Sequence, residues 1–316
     1  MKTKKKITVG IIIALLMIVG IIAGASLFMI SYSLKPDFNR DEEISFKNLF
    51  GSYPHLESWV DSLQTASALK DTFILNKEDR LLHAYYIRAP RATNRTAVIV
   101  HGYTDDAISM MMIGYMFNHE MNYNILLPDL QYHGRSEGTA IRMGWKDRID
   151  VMEWMDVANN LYGKNTQMVI HGISMGAATT MMISGEELPA YVKCFIEDCG
   201  YTSVWEQFSK ELKEQFGLPQ FPLMYTANWL NELKYGWSFK EASALEQVRN
   251  CHLPMFFIHG DADSYVPTQM VYSLYEAKPE PKELWVVPGA THAKSYLNNT
   301  EEYTTRVKVF VNKYIK

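Results

Sequence analysis

A single serine stands between two glycines in VIHGISMGAATTMMISG, the stretch from Val169 to Gly185. Gly172-Ile173-Ser174-Met175-Gly176 has the form G-x-S-x-G, in which a sharp strand-to-helix turn lifts a hydroxyl clear of a sheet. The residues two places either side of the serine must be small, because side chains there would collide across the turn. The corner also aims the N-terminus of the next helix at the hydroxyl, where main-chain N–H groups can hold a developing oxyanion. The pentapeptide alone is a weak signal. Here an apolar strand pattern precedes it and a small-residue helix opening with Ala177-Ala178 follows, which is the context that nucleophilic attack by Ser174 requires. The alternative is a serine that serves only the turn.

A serine hydroxyl needs a base to take its proton. Of nine histidines, His101, His171 and His259 each precede a glycine at a strand end and read as structural, while His133 in QYHGRSEG belongs to a loop that shapes the site. His292, in VVPGATHAKSY, follows the last apolar strand and is the expected base. A carboxylate must orient the imidazole and stabilise its charged form. IHGDADSYVP offers Asp261 and Asp263; Asp263 lies deeper in the loop and is the expected acid, leaving Asp261 to the turn. Asp198, after CFIE, is the alternate position. The chain order Ser…Asp…His is the one this architecture uses.

Those groups need a scaffold. DTFILNKEDRLLHAYYIRAP reads as two strands around a turn at Asn76 to Asp79. TAVIVHG, YNILLPD, QMVIHG, VKCFIED, MFFIHG and ELWVVPG read as buried strands, most of them separated by helical patterns. Trp145, Ile149, Met152 and Met155 share one helical face, as do Tyr303, Val307, Phe310 and Tyr314 in the last helix. Apolar strands alternating with helices predict an α/β domain, with a mostly parallel central sheet and helices on both faces. Between Val204 and Asn250 no strand pattern appears. That interval is rich in aromatics and broken by Pro219, Pro222 and Gly236, which suits a helical cap over the site, or else ordinary helix packing.

With these motifs in the order VIVHGYTDD, PDLQYHGRSEG, HGISMG, IHGDADSYVP, GATHAKSY, the chain resembles the α/β-hydrolase superfamily from about residue 71 to its end. Within it, the resemblance is to serine-aminopeptidase-like, membrane-anchored bacterial hydrolases. The resemblance implies Ser174 as nucleophile, Asp263 as acid and His292 as base. It also implies an oxyanion hole from the N–H groups of Met175 and Tyr103, and no metal or organic cofactor. Gln131-Tyr132 departs from relatives that often carry arginine or glycine there, which bears on pocket shape. An α/β dehalogenase is disfavoured, because its elbow needs a carboxylate where Ser174 stands.

The expected reaction is acyl transfer to water on a small-molecule carboxylic ester, with an apolar acyl group suited to the aromatic cap. Lipase, thioesterase and peptidase activity are alternatives on the same residues, and a non-catalytic surface binding protein is the alternative from another class. The chain has 316 residues, 47% hydrophobic and 21% charged, which suits one large domain or two small ones. A net charge of −4 gives no reason to expect nucleic acid. Cys194, Cys199 and Cys251 form neither a disulfide framework nor a metal spacing and read as small buried hydrophobes.

At the N-terminus, MKTKKK precedes a run without charge from Ile7 to Ile30, long enough to cross a bilayer. The lysines hold the N-terminus in the cytoplasm and send the remainder outside. Residues 1–30 are thus expected to be a membrane anchor, 31–70 a partly helical connector, and 71–316 the catalytic domain with its cap at about 204–250. The alternative is a signal peptide cleaved near Ala23-Gly24-Ala25, which would release the domain.

Overall fold

A computed structural model describes residues 2–316. Eight strands make one sheet: β1 (Lys70–Leu75), β2 (Leu81–Ile87), β3 (Arg95–Val100), β4 (Asn124–Pro128), β5 (Gln167–Ile173), β6 (Val192–Asp198), β7 (Met255–Gly260) and β8 (Lys282–Val287). Their order is β1-β2-β4-β3-β5-β6-β7-β8. β1, β2 and β4 pair antiparallel, and every later neighbour is parallel. Side chains alternate between two buried layers: Val98, Val100 and Ile170 face one, while Ala97, Ile99 and Val169 face the other. Burial on both faces is why the central strands read as continuous apolar runs.

Helices cover both layers. In chain order they are α1 (Lys2–Leu34), α2 (Glu42–Ser52), α3 (Leu56–Thr65), α4 (Met111–Tyr115, running on into a π-helical turn at Met116–Glu120), α5 (Asp147–Leu161) and α6 (Met175–Ser184). After them come α7 (Val204–Phe216), α8 (Leu223–Tyr235), α9 (Ala244–Arg249), α10 (Gln269–Ala277), α11 (Ser295–Asn298) and α12 (Thr300–Tyr314). α2 and α3 put Leu49, Leu56, Trp59 and Val60 into the same layer as Tyr85 and Ile87. α7 to α9 fill the interval between β6 and β7; Ser203 caps α7 by accepting from the Glu206 N–H, and Gly217 ends it in the left-handed conformation.

One helical face differs from its sequence reading. In α5 the buried residues are Asp147, Asp150, Val151, Trp154, Met155 and Ala158, while Trp145, Ile149 and Met152 are only half-buried. The buried Arg142 explains the rotation: it pairs with Asp147 at 3.2 Å and also with Asp150, so two carboxylates sit on the inward face satisfied. α12 keeps its expected face, with Tyr303, Val307 and Phe310 buried.

α1 has two parts. It is long and apolar enough to be a membrane span or a signal sequence, and its apolar residues from Ile7 to Ile21 lie exposed. Further on, Ser26, Ile30 and Leu34, each one turn apart, are buried against the domain. The Ser26 hydroxyl donates to the Leu223 carbonyl at the start of α8 (3.3 Å), the Tyr103 hydroxyl donates to the Ser33 carbonyl (2.8 Å), and the Ile141 N–H donates to the Leu34 carbonyl (2.8 Å). The helix therefore enters the domain and does not stop at its edge.

Candidate active site

Ser174 sits at the corner between β5 and α6 with φ 58° and ψ −117°, a conformation that costs a non-glycine residue energy and marks the strained turn. The neighbouring glycines are fixed by space. A Cβ on Gly172 would lie 2.0 Å from the Gly176 carbonyl oxygen, and one on Gly176 would lie 2.1 Å from the Val100 carbonyl oxygen. Met175 is the first residue of α6, so its N–H has no acceptor within the helix. The backbone after β3 passes beside the serine, since a Cβ on Gly102 would stand 3.5 Å from the Ser174 Cβ. Tyr103 follows at once, its ring on the wall of the cavity that holds Ser174.

The loops after β7 and β8 bring two further groups to this corner. The Ser174 Oγ lies 2.8 Å from His292 Nε2, and His292 Nδ1 lies 2.7 Å from Asp263 Oδ2. Asp261 accepts instead from the Gly289 N–H at 2.6 Å, in the turn. The Asp198 carboxylate accepts from the Ser295 hydroxyl at 3.0 Å, and its carbonyl accepts from the Ser174 N–H at 2.8 Å, so it braces the corner from behind.

Burial alone would raise the Asp263 carboxyl, but hydrogen bonds from His259 and His292 outweigh it and hold the group far below the usual carboxylate range. The backbone N–H groups of Tyr265 and Val266 donate to its other oxygen at 3.0 and 2.9 Å. An ionised carboxylate so held is a fixed negative charge facing the imidazole. Tyr265 also covers His292, their ring centroids 4.9 Å apart.

His259 is a structural residue, as its place before Gly260 suggests, and its partner is one the sequence reading does not name. Its Nε2 stands 2.9 Å from the Val266 carbonyl and 3.4 Å from Asp263 Oδ2. Burial works against its charged form, yet Asp263 and Glu197 hold its pKa above the ordinary value. The one available signal was the four-residue step from His259 to Asp263. His101 Nε2 accepts from the Leu130 N–H at 2.9 Å, and His171 Nε2 meets the Tyr303 hydroxyl at 2.9 Å, both as internal fastenings. His133 is buried behind the site, its ring 4.7 Å from that of His101, and is not on the cavity wall. Among the described residues, Cys199, Asp263 and His292 bring ligand atoms close enough for a metal. Two of them are already bonded to each other, and burial pushes the Cys199 thiol well up, against the thiolate a metal needs.

Ser174 opens into a cavity of about 580 Å³, within the usual range for small-molecule sites. Phe208, Leu212, Phe216, Met224, Ala227 and Phe239, from the interval between β6 and β7, form one wall. Phe28, Met29, Ile30 and Tyr32 of α1 form another. Gln207, Glu211 and Gln215 are the polar residues on the α7 side, and Lys210 pairs with Glu211 at 3.2 Å.

A mostly parallel eight-stranded sheet, with a strained serine corner after its fifth strand, defines the α/β-hydrolase fold in its serine-hydrolase form. A sequence profile of the prolyl oligopeptidase family matches residues 130–316, and the chain belongs to that family. It is 26% identical over 306 residues to the uncharacterized protein YqkD of Bacillus subtilis (strain 168), covering 97% of this chain and 96% of that one. The uncharacterized protein YfhR of Escherichia coli (strain K12) is 24% identical over 178 residues, 56% of either chain. Among solved structures, the Pyrococcus furiosus esterase Pf2001 superposes with a TM-score of 0.65 at 24% identity, covering 80% of this chain and 96% of that one. The acylaminoacyl peptidase of Pyrococcus horikoshii superposes with a TM-score of 0.55 at 17% identity, over 78% of this chain and 41% of its own. These likenesses are ones of fold.

Proposed function

We propose that this protein is a serine hydrolase of carboxylic esters, held to a membrane by α1, with α7 to α9 as a cap over an apolar acyl site. The observation that carries the reading is the continuous run Asp263–His292–Ser174, with steps of 2.7 and 2.8 Å, ending at the serine that lines an apolar cavity. His292 takes the Ser174 proton as Oγ bonds to the ester carbonyl carbon, and the carbonyl electron pair moves onto oxygen. The Met175 and Tyr103 N–H groups hold that oxyanion. Collapse breaks the carbon–oxygen bond to the leaving alcohol, which departs with the proton from His292. Water, deprotonated by the same imidazole, then releases the acid and restores Ser174.

The lysines before Ile7 favour a cytoplasmic N-terminus and a domain on the outer side. The motif resemblance to serine-aminopeptidase-like hydrolases and membership of the prolyl oligopeptidase family both accord with serine acyl transfer. They also favour a second reading, peptide hydrolysis. Glu211 is the carboxylate on the α7 wall that a substrate amine would meet, and its pairing with Lys210 weighs against that use.

The test is fluorophosphonate labelling of the full chain beside Ser174→Ala, followed by matched panels of esters of rising acyl length and aminoacyl amides. Labelling lost in Ser174→Ala, with esters preferred, supports the reading. Faster turnover of the amides would transfer it to the peptidase, and an unlabelled, inactive wild type would leave a binding protein.

A further inference from the structure

α1 carries more than attachment. Phe28, Met29, Ile30 and Tyr32 line the cavity that contains Ser174, so part of the candidate anchor is part of the site. Phe28, Tyr32 and Phe216 line it while remaining exposed, which places the mouth between α1 and the end of α7. Tyr32 meets Phe216 edge-on at 5.7 Å and donates to Gln215 Oε1 at 3.1 Å across the opening.

Depth follows from helix length. A hydrocarbon core about 30 Å thick takes about 20 residues of helix. Counted from Ile7, that span ends near Ser26, the residue bonded to the first turn of α8. Phe28 and Tyr32 then lie roughly 3–9 Å beyond it, at about 1.5 Å per residue. That is the layer in which a bilayer lipid carries its acyl ester linkages.

α8 shows a matching surface. It packs beside α1 with Met224 and Ala227 inward, and turns Tyr225, Trp229 and Leu233 outward, 48%, 59% and 67% exposed, while Phe221, just before the helix, is 73% exposed. Tyr225, Trp229 and Leu233 recur every fourth residue of the helix, so they form one stripe, and Phe221 meets its first member with ring centroids 5.9 Å apart. Leu218 extends it towards the mouth, exposed in the turn between α7 and α8. Soluble surfaces seldom leave so long an apolar row uncovered, and aromatic residues settle at the boundary of hydrocarbon and water.

We propose that the α8 stripe lies in the outer leaflet beside α1, and that the substrate is a membrane-resident acyl lipid entering Ser174's cavity between α1 and the end of α7. The inference rests on the ester hydrolase reading and on α1 spanning the bilayer. Entry from the leaflet spares the acyl chain a passage through water, whose cost grows with every methylene. The lipid ester bond breaks at Ser174 by the same steps, giving a free fatty acid and the deacylated lipid.

The test uses the full chain in vesicles of phosphatidylcholine and phosphatidylglycerol. A Leu233→Cys variant carries an environment-sensitive fluorophore, the three native cysteines being buried. Quenching by a nitroxide near the top of the lipid acyl chain, and not by aqueous iodide, is expected; quenching by iodide alone overturns the docking. This arm reads the surface whether or not Ser174 turns anything over. In parallel, Phe221→Ser/Trp229→Ser/Leu233→Ser is compared with wild type on a vesicle-embedded diacylglycerol and on soluble p-nitrophenyl acetate. A loss of about tenfold or more on the lipid, with the soluble ester unchanged, is expected from removing this apolar contact. Equal activity on both substrates overturns the proposal. A wild type that cleaves the soluble ester but no bilayer lipid overturns the substrate assignment, whereas one that labels with no fluorophosphonate indicts the hydrolase reading beneath it.

Discussion

At the scale of single residues, the corner depends on charge held in a fixed place. Asp263→Asn keeps the shape but removes the negative charge facing His292 and favours the wrong imidazole tautomer. A fall in kcat on the order of 10⁴, with KM little changed, is expected in steady-state ester kinetics. Glu197, one residue before the bracing Asp198, gives a pH signature. Burial pushes its pKa from 4.5 up to about 8. A carboxyl raised on folding binds its proton more tightly in the native state, so its stabilising contribution is complete below the unfolded value. That contribution is lost as pH rises through the folded one. Thermal melts should therefore decline between about pH 4.5 and 8. Glu197→Gln should match wild type near the acid end of that window and melt higher above it; identical melting curves at all pH values would refute the assignment.

At the scale of elements, the strand–corner–helix unit of β5 and α6 is the least forgiving part of the chain. Gly176→Ala would drive a methyl against the Val100 carbonyl, 2.1 Å from where the Cβ must stand. Loss of about 3 kcal/mol in denaturant titrations, together with loss of fluorophosphonate labelling, is the expected result. This unit was legible in the sequence because its requirements are local: two small residues at fixed offsets, an apolar run before them and a helix after. Asp263 and His292 were legible for a related reason, since each follows an apolar strand whose end lies on the same edge of the sheet. The inward face of α5 was not, because pairing Asp147 and Asp150 with Arg142 reverses the usual rule that charges point outward. The contact of His259 with Asp263 was not legible, because it depends on a long-range fact, that its side chain turns towards the loop carrying Asp263.

At the scale of the whole molecule, the apolar N-terminal run was readable as a span or signal, but its union with the cavity was not. Which face of α1 meets α8 depends on tertiary packing that no local pattern encodes. Two truncations separate the parts of α1. Removing residues 1–21 takes the exposed apolar stretch from Ile7 to Ile21, whereas removing residues 1–34 also strips Phe28, Ile30 and Leu34 from the domain. In detergent, the shorter truncation should keep the acyl-length profile of the full chain. The longer one should flatten that profile and lower the melting temperature by several degrees, as a loss of about 2–3 kcal/mol of apolar burial would.

The bonds from Tyr103 to Ser33, from Ile141 to Leu34, and from Arg40 to the carbonyls of Gly134 and Ser136 fasten the end of α1 to the domain. Where this helix is threaded through a bilayer it becomes a ruler. Each residue of the stretch before Ile22 is about 1.5 Å of the helix that separates the N-terminal lysines from Ser174. Reach is thereby written in the length of one segment, far from the serine it serves.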